Sequence, residues 1–188
     1  TILSYGAPEL ALLSAGATEV ARYLGLPVFS TAGCTDSKCL DEQAAAEAAT
    51  SIVIAALSGA NFVHDVGYTE SGMTGSLHQL VMGDEIIGMA RFIARGIRVD
   101  DETLAVDAIA EAAETGDYLA LDHTAKHFRR EFWFPSLMDR RRYGEWAGDG
   151  KKTLGDRAGE RVRRILADHR AARLTGEVET KLDRLVGD

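Results

Sequence analysis

Two short stretches decide the fold: Gly25-Leu26-Pro27-Val28-Phe29-Ser30-Thr31-Ala32-Gly33 and Gly59-Ala60-Asn61-Phe62-Val63-His64-Asp65-Val66-Gly67. Each opens on a glycine and runs through β-branched or aromatic residues. Each ends at another glycine. Short apolar runs bounded in this way read as buried strands, here over 26–32 and 61–66. Helical patterns flank both. Pro8 to Leu24 begins with a proline suited to a first helical turn and stops before Gly25. Asp41 can cap a helix running through Ala44, Ala45 and Ala46 to Gly59.

The order helix, glycine, strand, loop, helix therefore repeats, with 34 residues between Gly25 and Gly59. An eight-unit (β/α) barrel has about 31 residues per unit, and a doubly wound open sheet has a similar rhythm. Only two strands are clear, whereas a closed barrel needs eight, so either N-terminal strands are missing from this sequence or the α/β fold is something smaller. The chain opens on Thr1 and passes directly into Ile2 and Leu3, which suggests a start inside a longer protein.

Further helices are expected from Ser76, which with Gln79 forms the pattern of a capping box, and over Glu102 to Ala113. Gly83 and Gly88 inside the first of these weaken it and point to close packing against a neighbour. Residues 117–188 change character. They are charged and Arg-rich, and they read as a helical tail. Asp122 looks like an N-cap, Phe132-Trp133-Phe134 is a possible strand, 144–155 is a polar loop, and Arg140-Arg141-Arg142 reads as a solvated face.

Composition narrows the function classes. Hydrophobic residues make up 46% and charged residues 27%, a globular balance, and the formal net charge is −8. A nucleic-acid surface needs a basic excess, so that partner is disfavoured. The acidic surplus lies in residues 1–100, with 11 Asp/Glu against 5 Lys/Arg, which is compatible with a cationic ligand. Two cysteines do not make a disulfide framework. No apolar run reaches the roughly 20 residues that span a bilayer, and a cytoplasmic setting is expected.

Chemistry-bearing residues collect after the two strands, where parallel α/β proteins bind substrates. The first loop, from Gly33 to Gln43, offers Cys34, Asp36, Lys38 and Gln43. The second, from His64 to Ser76, offers His64, Tyr68, Glu70, Ser71 and Gly72. In an extended strand His64 and Asp65 point to opposite faces. Cys34, Cys39, His123 and His127 could form a zinc set, but Cys39 is expected to pack into the following helix and the histidine pair to dock the tail.

The chain resembles the trimethylamine methyltransferase family. The resemblance runs through Thr1-Ile2-Leu3-Ser4-Tyr5-Gly6-Ala7-Pro8-Glu9, Ala32-Gly33-Cys34-Thr35-Asp36-Ser37-Lys38, Asp41-Glu42-Gln43, Glu70-Ser71-Gly72, Arg95-Gly96-Ile97 and His123 to His127. It implies a TIM barrel, with residues 1–116 as its C-terminal βα units and the N-terminal strands absent, and methyl transfer from a quaternary or tertiary amine to the Co(I) corrinoid (cobalamin) of a partner protein, with no tightly bound cofactor of the chain's own. In the family's archaeal trimethylamine enzymes a pyrrolysine precedes the Ser-Asp-Ser-Lys-like segment. Cys34 stands at that position here, so the chain is similar to the non-pyrrolysine branch that includes glycine betaine methyltransferases. The side-chain chemistry of the two loops then suggests catalytic roles for His64, Asp36 and Glu70, substrate-binding roles for Tyr68, Lys38 and Cys34, and cofactor-facing roles for Gln43, Ser71 and Gly72. Two other classes stay open. One is a metal-assisted hydrolase using the Cys/His set. The other is a non-catalytic fragment that binds a partner or forms a homo-oligomer, since these residues alone are expected to be inactive.

Overall fold

A computed structural model describes residues 4–187. Thr1, Ile2 and Leu3 of the opening motif, and Asp188 of the tail, lie outside the described residues. The first half is α/β. Helix α1 (Pro8–Tyr23) leads to strand β1 (Phe29–Thr31), helix α2 (Glu42–Ser58) and strand β2 (Phe62–His64). The strands pair in parallel, with Phe29 opposite Phe62, Ser30 opposite Val63 and Thr31 opposite His64. Both are shorter than the apolar runs that announce them. The Asp41 carboxylate caps α2 by accepting from the Ala44 N–H at 2.8 Å. Gly59 ends the helix at φ 79°, where a side chain would be strained.

Helices cover one face of this sheet. Ala32 from the end of β1 packs with Ala44, Ala48, Ile52 and Ala55 of α2 and with Met82, Ile86 and Ala90 of helix α3 (Leu77–Ala94). The alanines let the helix and sheet backbones approach closely, and Ile52, Met82 and Ile86 fill the volume between them. Gly83 meets Val66 so closely that a Cβ there would lie 2.5 Å from Val66 Cγ1. Gly88 faces the Trp133 indole. The expected close packing is thus present at Gly83, whereas a Cβ on Gly88 would lie 3.5 Å from the Trp133 Nε1, an ordinary contact. No described residue covers the opposite sheet face: Phe29 and Phe62 are each 63% exposed, their rings stacked at 6.0 Å.

Several local expectations need correction. A small hairpin, β3 (Tyr68–Thr69) with β4 (Thr74–Gly75), follows β2 and was not foreseen, because its strands are too short to show a period. Ser76 does cap α3 by accepting from the Gln79 N–H at 3.2 Å. The reciprocal half of the box is missing, because the Gln79 side chain is buried with neither amide atom hydrogen-bonded. The helix expected over 102–113 is two, α4 (Asp101–Leu104) and α5 (Val106–Thr115), broken at Ala105 with φ 50°.

The tail is helical, with α6 (Asp122–Glu131), α7 (Tyr143–Gly148), α8 (Leu154–Asp168) and α9 (Gly176–Val186). Leu121, not Asp122, is the N-cap of α6, and no side chain caps it. Residues 132–134 form no strand, and α7 occupies half of the expected loop. The arginine run is exposed, as expected, and two of its members also make contacts. Arg140 stacks over Trp133 at 5.4 Å, and Arg141 pairs with Asp139 at 2.7 Å and Asp149 at 3.1 Å.

One buried carboxylate fastens the tail. Glu85 of α3, 5% exposed, accepts from the Ser136 hydroxyl at 2.6 Å and from the N–H groups of Ser136, Leu137 and Met138 at 2.8–3.2 Å. Burial works to raise its pKa, but these donors together outweigh it and hold the carboxyl below its ordinary range. No helix among the described residues is long and apolar enough to cross a membrane.

Candidate functional site

The two strand-end loops meet. The Thr35 N–H donates to the Tyr68 carbonyl at 3.1 Å, the Glu70 N–H to Ser37 at 2.9 Å and the Ser71 N–H to Thr35 at 3.1 Å. This set of backbone bonds ties the two loops together just beyond the parallel strands. It requires sharp turns: Asp65, Glu70 and Ser71 all have positive φ, at 74°, 51° and 51°, alongside Gly33, Gly67 and Gly72. Non-glycine residues in the left-handed region carry strain that surrounding structure must hold, and such strain gathers at functional sites.

Asp36 lies at the centre of the junction. Its carboxylate accepts from the hydroxyls of Ser4 and Ser71 and from the Gly6 N–H at 3.1 Å. Burial opposes ionisation here, but the Ser4, Ser71 and Gly6 donors outweigh it and hold the carboxyl below its ordinary range. Asp36 therefore ties three segments together as an anion. Lys38 donates to the Asp36 carbonyl at 2.8 Å and is otherwise exposed.

His64 closes the other side. Its Nδ1 lies 2.8 Å from an Asp65 oxygen and its Nε2 3.1 Å from the Thr31 hydroxyl, while its ring stacks on Phe29 at 4.2 Å. The expected strand alternation fails at this point. Asp65 leaves the strand through its left-handed backbone and folds back onto its neighbour, so His64 and Asp65 form a dyad instead of facing apart. Both ring nitrogens are engaged, which fixes the imidazole's orientation.

The remaining expected residues fall around this core. Glu70 is exposed, with one oxygen 3.3 Å from the Thr74 hydroxyl, and Tyr68 presents its ring at 42% exposure. Gly72 completes the turn with its N–H on the Thr69 carbonyl at 3.1 Å. Gln43 donates to Glu47 at 2.8 Å from the first turn of α2. Cys34 is buried, 1% exposed, and burial first and the Asp65 carboxylate second push its thiol up to about 11. Cys39 is exposed and does not pack into α2 as expected.

Sequence reasoning missed Glu47. Its Oε2 accepts the Thr35 hydroxyl at 2.5 Å and the Asp36 N–H at 2.8 Å, so it braces the first loop from the helix behind it. The signal was available: Glu47 stands four residues after Gln43, on the same helical face. Gly6 was missed as well. A Cβ there would lie 2.8 Å from the Asp36 nitrogen and against the Glu47 carboxylate.

The proposed zinc ligands are not assembled. Among the described residues no group of three or more His, Cys, Asp or Glu side chains is placed to hold a metal ion. His123 and His127 instead stack at 4.4 Å against α4. The His123 Nε2 lies 3.0 Å from the Glu102 carbonyl. The His127 Nε2 is 3.2 Å from the Glu102 carboxylate, within ion-pair range but not aligned as a hydrogen bond.

Residues 2–187 match the family described as Trimethylamine methyltransferase (MTTB). The chain belongs to the trimethylamine methyltransferase family. It is 38% identical over 176 residues to trimethylamine methyltransferase MttB of Methanosarcina thermophila, covering 92% of this chain and 36% of that protein. It is 36% identical over 185 residues to the glycine betaine methyltransferase of Desulfitobacterium hafniense strain Y51, covering 98% of this chain and 38% of that one. A second Desulfitobacterium hafniense protein, named trimethylamine methyltransferase MttB, is 34% identical over 181 residues, or 96% of this chain and 36% of that protein. The chain thus spans little more than a third of the length of these curated relatives. Within the trimethylamine methyltransferase family it is similar to both trimethylamine and betaine enzymes at nearly equal identity, so identity does not choose the amine.

Proposed function

We propose that the chain is the C-terminal part of a TIM-barrel enzyme that moves a methyl group from a quaternary amine to the Co(I) corrinoid of a partner protein in the cytoplasm. The observation that carries this reading is the junction of the two loops at the ends of parallel strands, in a chain of this family. The barrel is supported by the uncovered sheet face, since Phe29 and Phe62 stand where a closed barrel's interior packing belongs. On this reading the described residues alone are inactive.

The reaction is an in-line displacement at carbon. The carbon–nitrogen bond breaks with its electron pair going to nitrogen. A quaternary ammonium leaves as a neutral tertiary amine and needs no proton. The protein's work is positioning and electrostatics. Asp36 is already an anion with its oxygens engaged by hydroxyls and one N–H, so it attracts a cationic head through its field. Glu70 is more open and contacts the head directly, and the Tyr68 face adds a cation–π surface. Lys38 receives a substrate carboxylate if the substrate is a betaine. His64, fixed by Asp65 and Thr31, contacts the substrate or the corrinoid, and Gln43, Ser71 and Gly72 lie towards the incoming partner. Cys34, buried and protonated, is a wall and not a nucleophile.

The test is methylation of a cognate Co(I) corrinoid protein, followed by absorbance, by the protein that contains this chain. Glycine betaine, carnitine, proline betaine and trimethylamine are run in parallel. Activity on a betaine with none on trimethylamine is the expected result. Activity on trimethylamine alone refutes the quaternary-amine reading.

A further inference from the structure

The turn after β2 sets a carboxylate against His64. Asp65 adopts φ 74°, a left-handed backbone that non-glycine residues seldom take. In an extended strand its side chain would point away from His64. The turn instead brings an Asp65 oxygen to 2.8 Å from the His64 Nδ1. Glycine makes such a turn without strain, as Gly67 does two residues on at φ 96°. Backbone geometry alone therefore does not call for a carboxylate at position 65.

The contact fixes the place of the ring hydrogen. At 2.8 Å a bare Nδ1 would set its lone pair against an anion, so Nδ1 carries the hydrogen. In the neutral ring Nε2 is then bare, and the Thr31 hydroxyl, 3.1 Å away, donates to it. Phe29, stacked 15° from parallel at 4.2 Å, holds the ring plane. Thr31 and His64 are opposite in the strand register, and Phe29 and Phe62 lie two residues before them on the same face. Nε2 therefore lies on the sheet face that no described residue covers.

We propose that Asp65 is a positioning residue for methyl transfer, keeping the His64 hydrogen on Nδ1 so that a bare Nε2 meets the substrate's N-methyl groups. This rests on the quaternary-amine reading above. The positive charge of a quaternary ammonium lies largely on its methyl hydrogens. A bare ring nitrogen attracts them, whereas an N–H at Nε2 would repel them. Thr31 is the partner that holds Nε2 until substrate arrives. Asp65 itself touches neither substrate nor corrinoid and acts through the imidazole alone.

Asp65→Asn tests this, because the amide has the carboxylate's size and asparagine tolerates the left-handed turn. Its N–H can donate to Nδ1, which moves the ring hydrogen to Nε2, as the same exchange does in a Ser-His-Asp triad. Heteronuclear NMR of isotope-labelled histidines, in the protein that contains this chain, reads which nitrogen is protonated. The His64 signals are those lost in His64→Gln. This readout needs no substrate or partner, so it separates a misplaced hydrogen from a wrong reaction. Single-turnover methylation of the Co(I) corrinoid protein by glycine betaine reads the consequence. The expected result is hydrogen on Nδ1 in the wild type and on Nε2 in Asp65→Asn, with an unchanged thermal midpoint. Removing the outer carboxylate from a metal-bound histidine costs about ten- to a hundredfold, and a fall in rate of at least about tenfold is expected here. Asp65→Gly, which suits the turn, should be no less stable than the wild type and lose rate by a similar factor. Hydrogen on Nε2 in the wild type overturns the proposal, as does a wild-type rate in either variant.

Discussion

The Ser71 N–H donates to the Thr35 carbonyl at 3.1 Å, and the Ser71 hydroxyl donates to the Asp36 carboxylate one residue further on. A residue from each strand-end loop thus holds the other by both backbone and side chain. The junction is a small cooperative unit, and its parts should fail together.

Asp36→Ala should therefore cost more than a surface aspartate normally does. It removes an anion that receives donors from Ser4, Gly6 and Ser71. Hydrogen bonds to charged groups contribute about 1.5–3 kcal/mol each before losses are shared, so a loss of about 2 kcal/mol is expected in urea denaturation. Ser71→Ala should lose about 1 kcal/mol. In the double variant the losses should sum to less than the two single values, because both remove the same contact.

Glu85→Ala should loosen the tail. The substitution removes the shared acceptor of the Ser136, Leu137 and Met138 N–H groups and strands the buried Leu137 donor. A destabilisation of about 3 kcal/mol is expected, with earlier proteolysis within 132–153. The pH dependence has a definite sign. The folded carboxyl sits below its ordinary value, so its contribution is complete above the ordinary glutamate pKa of about 4.3 and is lost as pH falls through the lower folded value. Glu85→Gln should flatten that acid limb of the stability curve.

The two cysteines should differ sharply in reactivity. Cys34 is buried, with its thiol pushed up to about 11, whereas Cys39 is exposed. Iodoacetamide at neutral pH should label Cys39 and leave Cys34 unmodified until the protein is unfolded, as peptide mass spectrometry would read. Labelling of Cys34 in the native state would contradict the burial.

Much of this architecture is written locally. Pro8, Asp41, Gly25 and Gly59 carry their own conformational instructions, so α1, α2 and the position of the strands are legible without tertiary information. The loop junction is legible only as two clusters, because their meeting depends on the parallel register of Thr31 with His64. What stayed hidden is set by contacts distant in sequence. Glu85 looks like any helical glutamate until the loop 51 residues further on folds over it. Asp65 reads as a strand residue because no local signal announces its left-handed turn. Ala105, an ordinary helix former, breaks a helix by adopting a conformation that its side chain disfavours.

Gly83→Ala tests the packing behind the site. The added methyl would lie 2.5 Å from Val66 Cγ1, and Val66 stands between His64 and the hairpin. Overpacking of this kind costs about 1–3 kcal/mol. The expected result is a lower thermal midpoint, partly restored by Val66→Ala in the same chain. Gly144→Ala, with nothing within 4 Å of its Cβ position, should leave the midpoint nearly unchanged.

The central claim is that the joined loops carry methyl transfer through positioning and charge, with no covalent step on the protein. The most direct measurement is the single-turnover rate of corrinoid methylation by glycine betaine, compared between His64→Ala and Cys34→Ser in the protein that contains this chain. Loss of a preorganised contact in such a site typically costs about a hundredfold or more. The account predicts a fall of that size for His64→Ala and a rate within about threefold of wild type for Cys34→Ser, both folded by circular dichroism. A folded Cys34→Ser protein without transfer, beside a fully active His64→Ala protein, would contradict it.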